Sequence, residues 1–169
     1  AMWGWFLYQG VTDPLGGINS LWPLFGISNQ LLATVALCVG TTVIIKMGKA
    51  KYAFVTVIPM VWLVIVTSTA SLAKIFDPNP RIGFLSHAQW VRDKLAAGEA
   101  IPGVSDAAGA ARLILNDQVN TAVAAFFLLA TFIILVDSAR TWYGVLSGRQ
   151  PAVSTETPYQ RSARAIAGA

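Results

Sequence analysis

Charge is the first thing this 169-residue chain has little of. Asp, Glu, Lys and Arg make up 12% of it, against about 25% in an ordinary soluble domain. The shortage is concentrated in three places: none of these four residues occurs between Asp13 and Lys46, between Lys51 and Lys74, or between Asp117 and Asp137, gaps of about 32, 22 and 19 residues. A helix in the core of a soluble protein keeps a wet face. These stretches have none, which excludes a water-soluble core as their setting. Cysteine is scarce too: Cys38 stands alone, so neither a disulfide framework nor a cysteine metal site can be built. His87 is the only histidine and has no neighbouring ligand type in sequence, so it reads as a surface residue of a loop. No phosphate-binding loop, dinucleotide fingerprint, nucleophile elbow or zinc spacing occurs, and nothing points to an enzyme, a cofactor or a metal.

What is there is apolar. Hydrophobic residues reach 55% and the mean hydropathy is +0.59. A hydrocarbon layer of roughly 30 Å takes about 20 helical residues at 1.5 Å rise, and the charge-free stretches are long enough or nearly so. They do not alternate as barrel strands do. The fold class is therefore all-α: a polytopic helical membrane protein with spanning helices at 21–45, 53–73 and 119–139 and a short helical loop before the third. Lys46, Lys49 and Lys51 crowd the link at 46–52 with no acid among them, which assigns that link to the cytoplasm. Two further crossings put the basic tail, 140–169, on the same side. The connection at 74–118 balances five basic with five acidic residues and is external, as is the segment 1–20. The net charge of +4 is then explained by topology, and no nucleic-acid partner is implied.

The opening Ala1-Met2-Trp3-Gly4-Trp5-Phe6 has no basic leader region and reads as the end of a preceding helix in a longer protein. In the external connection, Asp77-Pro78-Asn79-Pro80 must stop the second helix. Ser86 and Gln89 have capping-box spacing for a short helix that Gly98 closes, and Ser105-Asp106 can cap a further segment running into the third span. The final twenty or so residues, rich in Ser, Thr, Pro and Arg, have a disordered composition.

The segment GGINSLWPLFGISNQLL at 16–32 is unusual, because it mixes glycines, a proline and amides with bulky hydrophobes. Asn19 or Ser20 serves as N-cap, and Pro23 falls in the first turn, where a missing N–H does little harm. Gly26, Gln30, Thr34, Cys38 and Thr41 or Thr42 then form a less apolar stripe that faces protein, with Ala36 and Gly40 at the spacing of close helix approach. In the second span Pro59 frees the carbonyl of Val55, with Thr56 nearby. Pro23 and Pro59 are the two kink positions. One reading makes Asn29 and Gln30 interhelical glue. The other makes Asn19, Ser20, Gly26, Asn29 and Gln30 a substrate site, where an interrupted helix start presents N–H groups to an anion. Asp117 is either a coupling carboxylate for a proton or sodium gradient or an acid favoured by a helix N-terminus. Asp137 and Arg140, three residues apart, suit a local ion pair.

GGINSLWPLFGISNQLLA closely resembles the hallmark of the carbon starvation protein A family. NPRIGFLSHA from Asn79, NDQVNTAVAAFFL from Asn116 and SARTW from Ser138 also resemble that family's C-terminal region. The likeness spans most of residues 3–143. It implies a bacterial inner-membrane secondary transporter for peptides or pyruvate, with this chain as its C-terminal helices. Its partners are then the bilayer, the remaining helices and a small carboxylate or peptide substrate. The alternative from the residues alone is a small three-helix scaffold subunit that transports nothing.

The absence of charge generates a first prediction. The purified chain requires detergent to stay monodisperse, and a lipid-phase photoprobe labels its three uncharged stretches; a chain that stays monodisperse in plain buffer and escapes the probe overturns the membrane reading.

Overall fold

The computed structural model describes Gly4, Tyr8, Val11 and residues 21–152. Four helices run through the continuous part: α1 at Leu21–Lys46, α2 at Phe54–Phe76, α3 at Phe84–Ala96 and α4 at Ala107–Leu146, with a 3-10 turn at Ala50–Tyr52. No strand occurs among the described residues. Three of these helices, α1, α2 and α4, are long and apolar enough to cross a membrane. The caps at Asn19 and Ser20 and the tail beyond residue 152 lie outside the described residues.

Each long helix packs on the other two, and α3 lies mainly on α4. Their contact faces follow a coiled-coil-like step of three and four. On α1 the buried positions include Ile27, Thr34, Cys38, Thr41 and Ile45; on α4 they include Ala110, Leu113, Asp117, Asn120, Ala124 and Thr131. Many of these seam residues are polar, while large apolar side chains such as Trp22, Leu32, Trp62, Phe126 and Phe132 point outward. That reversal of the soluble pattern is what a lipid solvent produces, because lipid tails are as apolar as leucine and leave packing and hydrogen bonds to join the helices. Thr41 and Thr56 share a hydrogen bond at 2.7 Å, the Thr67 hydroxyl donates to Gln30 Oε1 at 2.6 Å, and Trp142 Nε1 donates to Thr42 Oγ1 at 2.8 Å. Cys38 is buried with its Sγ 3.4 Å from Met60 Sδ.

The less apolar stripe of α1 is buried at Thr34, Cys38 and Thr41, but Gly26 stands off it, exposed, with open space where a Cβ would go. Leu24 and Ile27 take the inward positions at that end. Ala36 is exposed, and a Cβ on Gly40 would meet only a Thr56 methyl at 3.9 Å, so these two do not form one close-approach face. Pro23 sits in the first turn of α1. Pro59 lies inside α2 on its exposed side. The Thr56 hydroxyl serves the carbonyl of Ala53 and the Thr41 hydroxyl, rather than the carbonyl that Pro59 frees.

Helix α4 is 40 residues long, about 60 Å at 1.5 Å per residue, twice the roughly 30 Å of a hydrocarbon core. The segment after Asp106 therefore continues without interruption into the third span. Asp106 caps it, accepting from Gly109 N at 2.8 Å. The surplus length is covered by α3, whose Val91 joins Ile101, Ala110 and Leu113 in a small apolar core flanked by Trp90, Val104 and Ile114.

Helix α3 starts two residues before Ser86, with Gly83 as its N-cap. Ser86 does not form a capping box. Its hydroxyl donates instead to the carbonyls of Asp77 at 2.7 Å and Gly83 at 3.1 Å, which draws the helix start against the end of α2. Asp77 and Asn79 hold the connecting turn by accepting from Asn79 N and Arg81 N. The approach is so close that a Cβ on Gly83 would fall 2.3 Å from the carbonyl oxygen of Asp77. Gly83→Ala is therefore expected to destabilise the α2–α3 corner by about 1–3 kcal/mol, read as a lowered thermal unfolding midpoint in detergent, and an unshifted midpoint contradicts the corner geometry.

Candidate functional site

The seam positions of α4 bring chemistry together at one end of the bundle. Asp117 and Asn120 are buried there, at 8% and 1% exposure. Across from them, α3 presents His87, whose Nδ1 lies 2.7 Å from Asp117 Oδ2. Both side chains are largely enclosed, at 16% and 11% exposure. The imidazole stacks on Trp90, with ring centroids 5.8 Å apart and planes 22° apart. His87 thus has a companion that sequence spacing did not supply, thirty positions away, and it is not a surface residue.

Nor is Asp117 explained by a helix N-terminus. The macrodipole acts within the first turn, and α4 begins at Ala107, so Asp117 stands nearly three turns inside. What holds it is the seam and the ring of His87. The location matters chemically, because Asp117 is the last charged residue before the uncharged stretch that runs to Asp137. A carboxylate and an imidazole in contact can share or pass one proton.

Further along the seam, α1 and α2 contribute Gln30 and Thr67, joined at 2.6 Å. One turn away on α2 lies Ser71, with 0% exposure. Ser71 Oγ and, on α4, Thr121 Oγ1 are buried without a hydrogen-bond partner among the described residues. This end of the bundle therefore holds more polar groups than the three helices satisfy among themselves. Groups of that kind are rare in native interiors.

Of the residues expected at the substrate site, the three that are described do not share one face of α1. Gln30 enters the seam. Asn29 and Gly26 share the opposite, exposed side of α1, and Asn19 and Ser20 fall outside the described residues. Asn120, Thr67 and Ser71 were missed by sequence reading. The signal for Asn120 was available in the spacing Ala110, Leu113, Asp117, Asn120, Ala124, where a polar residue keeps step with a helix seam. Among the described residues no group of three or more His, Cys, Asp or Glu is placed to hold a metal.

Residues 1–70 match the family described as Carbon starvation protein CstA. Over 94% of the chain, the sequence is 43% identical to a protein named Pyruvate/proton symporter BtsT from Escherichia coli strain K12. It is 40% identical, also over 94% of the chain, to one named Peptide transporter CstA from the same strain. A Mycobacterium tuberculosis protein named Peptide transporter CstA is 37% identical over 99%. The chain spans 22% of the length of each of these curated relatives. No solved structure matches.

The geometry sets a stability test. His87→Ala and Asp117→Ala are each expected to loosen α3 from α4, and the double variant to lose less than the sum, with a coupling of about 1–3 kcal/mol for a hydrogen bond to a charged group. Additive losses in thermal unfolding would show that the two side chains do not act as a pair.

Proposed function

This chain belongs to the carbon starvation protein CstA family, and we propose on that premise that it forms part of a proton-coupled secondary transporter taking up small carboxylate-bearing nutrients. Pyruvate and short peptides are the substrate classes, after the activities for which its relatives are named. Those names are of transporters and not of enzymes. The observation that carries the coupling is the contact of His87 and Asp117 at 2.7 Å, on the threshold of the uncharged stretch of α4.

In this reading the pair takes a proton at the outer face, and the polar seam below it, from Asn120 to Gln30 and Thr67, lies beside the substrate path. Gly26 and Asn29, on the outward side of α1, face helices contributed by the rest of the transporter, and Asn19 and Ser20 are kept as candidate substrate contacts. The basic link at Lys46–Lys51 and the tail after Arg140 lie in the cytoplasm of a bacterial inner membrane. Intramembrane and membrane-threshold ionisable groups serve this kind of role often enough that a buried pair of them is a functional candidate in its own right.

The test is uptake of labelled pyruvate and of di- or tripeptides by the full-length protein. Asp117→Asn is expected to lower accumulation driven by a pH gradient about a hundredfold, the scale of a positioned proton-transfer group, at unchanged expression and with substrate exchange retained. Gln30→Ala is expected to weaken apparent substrate affinity. Full gradient-driven accumulation in Asp117→Asn removes the pair from coupling.

A further inference from the structure

At the other end of the bundle, α1 and α4 leave an open groove of about 770 Å³ between them. Its walls are apolar, formed by Val35, Val39 and Val43 on α1 and by Phe132, Ile133 and Val136 on α4. Polar atoms on its floor are engaged. The Thr42 hydroxyl donates to the Cys38 carbonyl and accepts from Trp142 Nε1, and Cys38 Sγ is directed to Met60 Sδ. A polar substrate would find little to bond along this length.

The end of the groove is different. Lys46, Asp137, Ser138, Arg140 and Thr141 line it, which sets two cations and two hydroxyls against one carboxylate. The ion pair that spacing suggests for Asp137 and Arg140 does not form; the only salt bridges among the described residues are His87 with Asp117 and Lys94 with Glu99. At the mouth, two cations face one carboxylate, and neither cation forms a salt bridge among the described residues.

We propose that this groove is a binding site for one anionic phospholipid, an acyl chain lying along the valine and phenylalanine walls and the phosphate held by Lys46 and Arg140. The length of the groove favours a lipid. From Val35 to Lys46 the wall rises about 16 Å at 1.5 Å per residue, roughly half of a 30 Å hydrocarbon core. That is the depth of one leaflet. A further spanning helix of the transporter would need the whole thickness. Charge complementarity selects the headgroup, since basic pockets between membrane helices attract anionic lipids at roughly 1 kcal/mol per Lys or Arg near the surface, a fold-change of about five for each. The pinned Trp142, at the same level, suits the interfacial zone in which headgroups lie.

The experiment uses the full-length transporter carrying this segment, purified with native lipid and washed in detergent, with retained lipid read by native mass spectrometry. Phosphatidylglycerol, cardiolipin and phosphatidylcholine are then offered back in nanodiscs. Retention of phosphatidylglycerol or cardiolipin over phosphatidylcholine is expected. It should fall roughly tenfold or more in Lys46→Gln/Arg140→Gln, consistent with two basic contacts, and stay unchanged in Lys49→Gln/Lys51→Gln. Lys46→Arg should keep the lipid, which separates a lost charge from a damaged fold. Val39→Phe, which fills the groove without altering charge, should also reduce retention. Equal retention of phosphatidylcholine, undiminished retention in the double variant, or a helix of the transporter found seated in the groove would each overturn the assignment.

Discussion

A hydrocarbon solvent offers no hydrogen bond, so a polar group on α1, α2 or α4 is costly unless it finds a partner inside the bundle. That constraint accounts for where the hydroxyls lie. Thr34, Thr41, Thr42 and Thr131 each donate to the carbonyl four residues earlier, which satisfies the donor without a second helix. Thr42 and Gln30 also accept from a neighbouring helix, and Thr41 shares a hydrogen bond with Thr56 on α2. A threonine so placed costs little and leaves its methyl free to pack. The helices are therefore tied at two levels along their length, at Gln30 with Thr67 and around the adjacent Thr41 and Thr42. The bulky residues, with no gain from hiding among their own kind, are left facing the lipid.

The same constraint explains why titratable chemistry appears only where α4 leaves the apolar zone. Its first turns carry Arg112 and Asp117, which the hydrocarbon would reject at several kcal/mol each by insertion-scale measures. Helix α3 covers this projecting part with a conventional apolar core built on Val91 and Leu113. The core fixes the distance between the two helices, and that distance places His87 on Asp117. The pair is consequently enclosed by water-compatible packing on one side and by the membrane seam on the other. Such a position makes the energy of its proton depend on how both helices sit.

Sequence was sufficient wherever one element decided the outcome by itself. The three uncharged stretches and the cap at Asp106 each act locally, and the closing glycine at Gly98 is a backbone position with φ of 67°. It was insufficient wherever two distant elements had to be brought together. Ser86 and Gln89 have the spacing of a capping box, yet the nearby carbonyl of Asp77 competes for the hydroxyl and wins, because the proline-containing turn folds the chain back upon itself. Gly26 falls in periodic step with Gln30 and Thr34, but the seam of α1 advances by alternating threes and fours from Ile27, which leaves Gly26 outside. His87 and Asp117 are thirty residues apart, and nothing local in either neighbourhood announces the other. Family resemblance carried the rest of the functional reading, since the motif around Asn29 and Gln30 is specific while its chemistry alone is not.

Helix α4 contains no proline, and its glycines, Gly109 and Gly144, lie within its end turns. Kinks need such residues, π-bulges or inserted groups in the helix interior. The stretch from Asp117 to Thr141 is accordingly a single stiff rod. Near its basic end Trp142 pins it to Thr42 on α1. A rod fixed at one end and held by a protonatable contact at the other has a natural pivot at the pinned end, with the largest travel at Asp117. Loss of the histidine contact therefore frees motion where the polar seam opens, and spares the basic end. In the transporter reading proposed above, rigid-body rocking of one bundle element against another is the usual geometry of alternating access, and a stiff α4 with two unlike anchors suits such a motion.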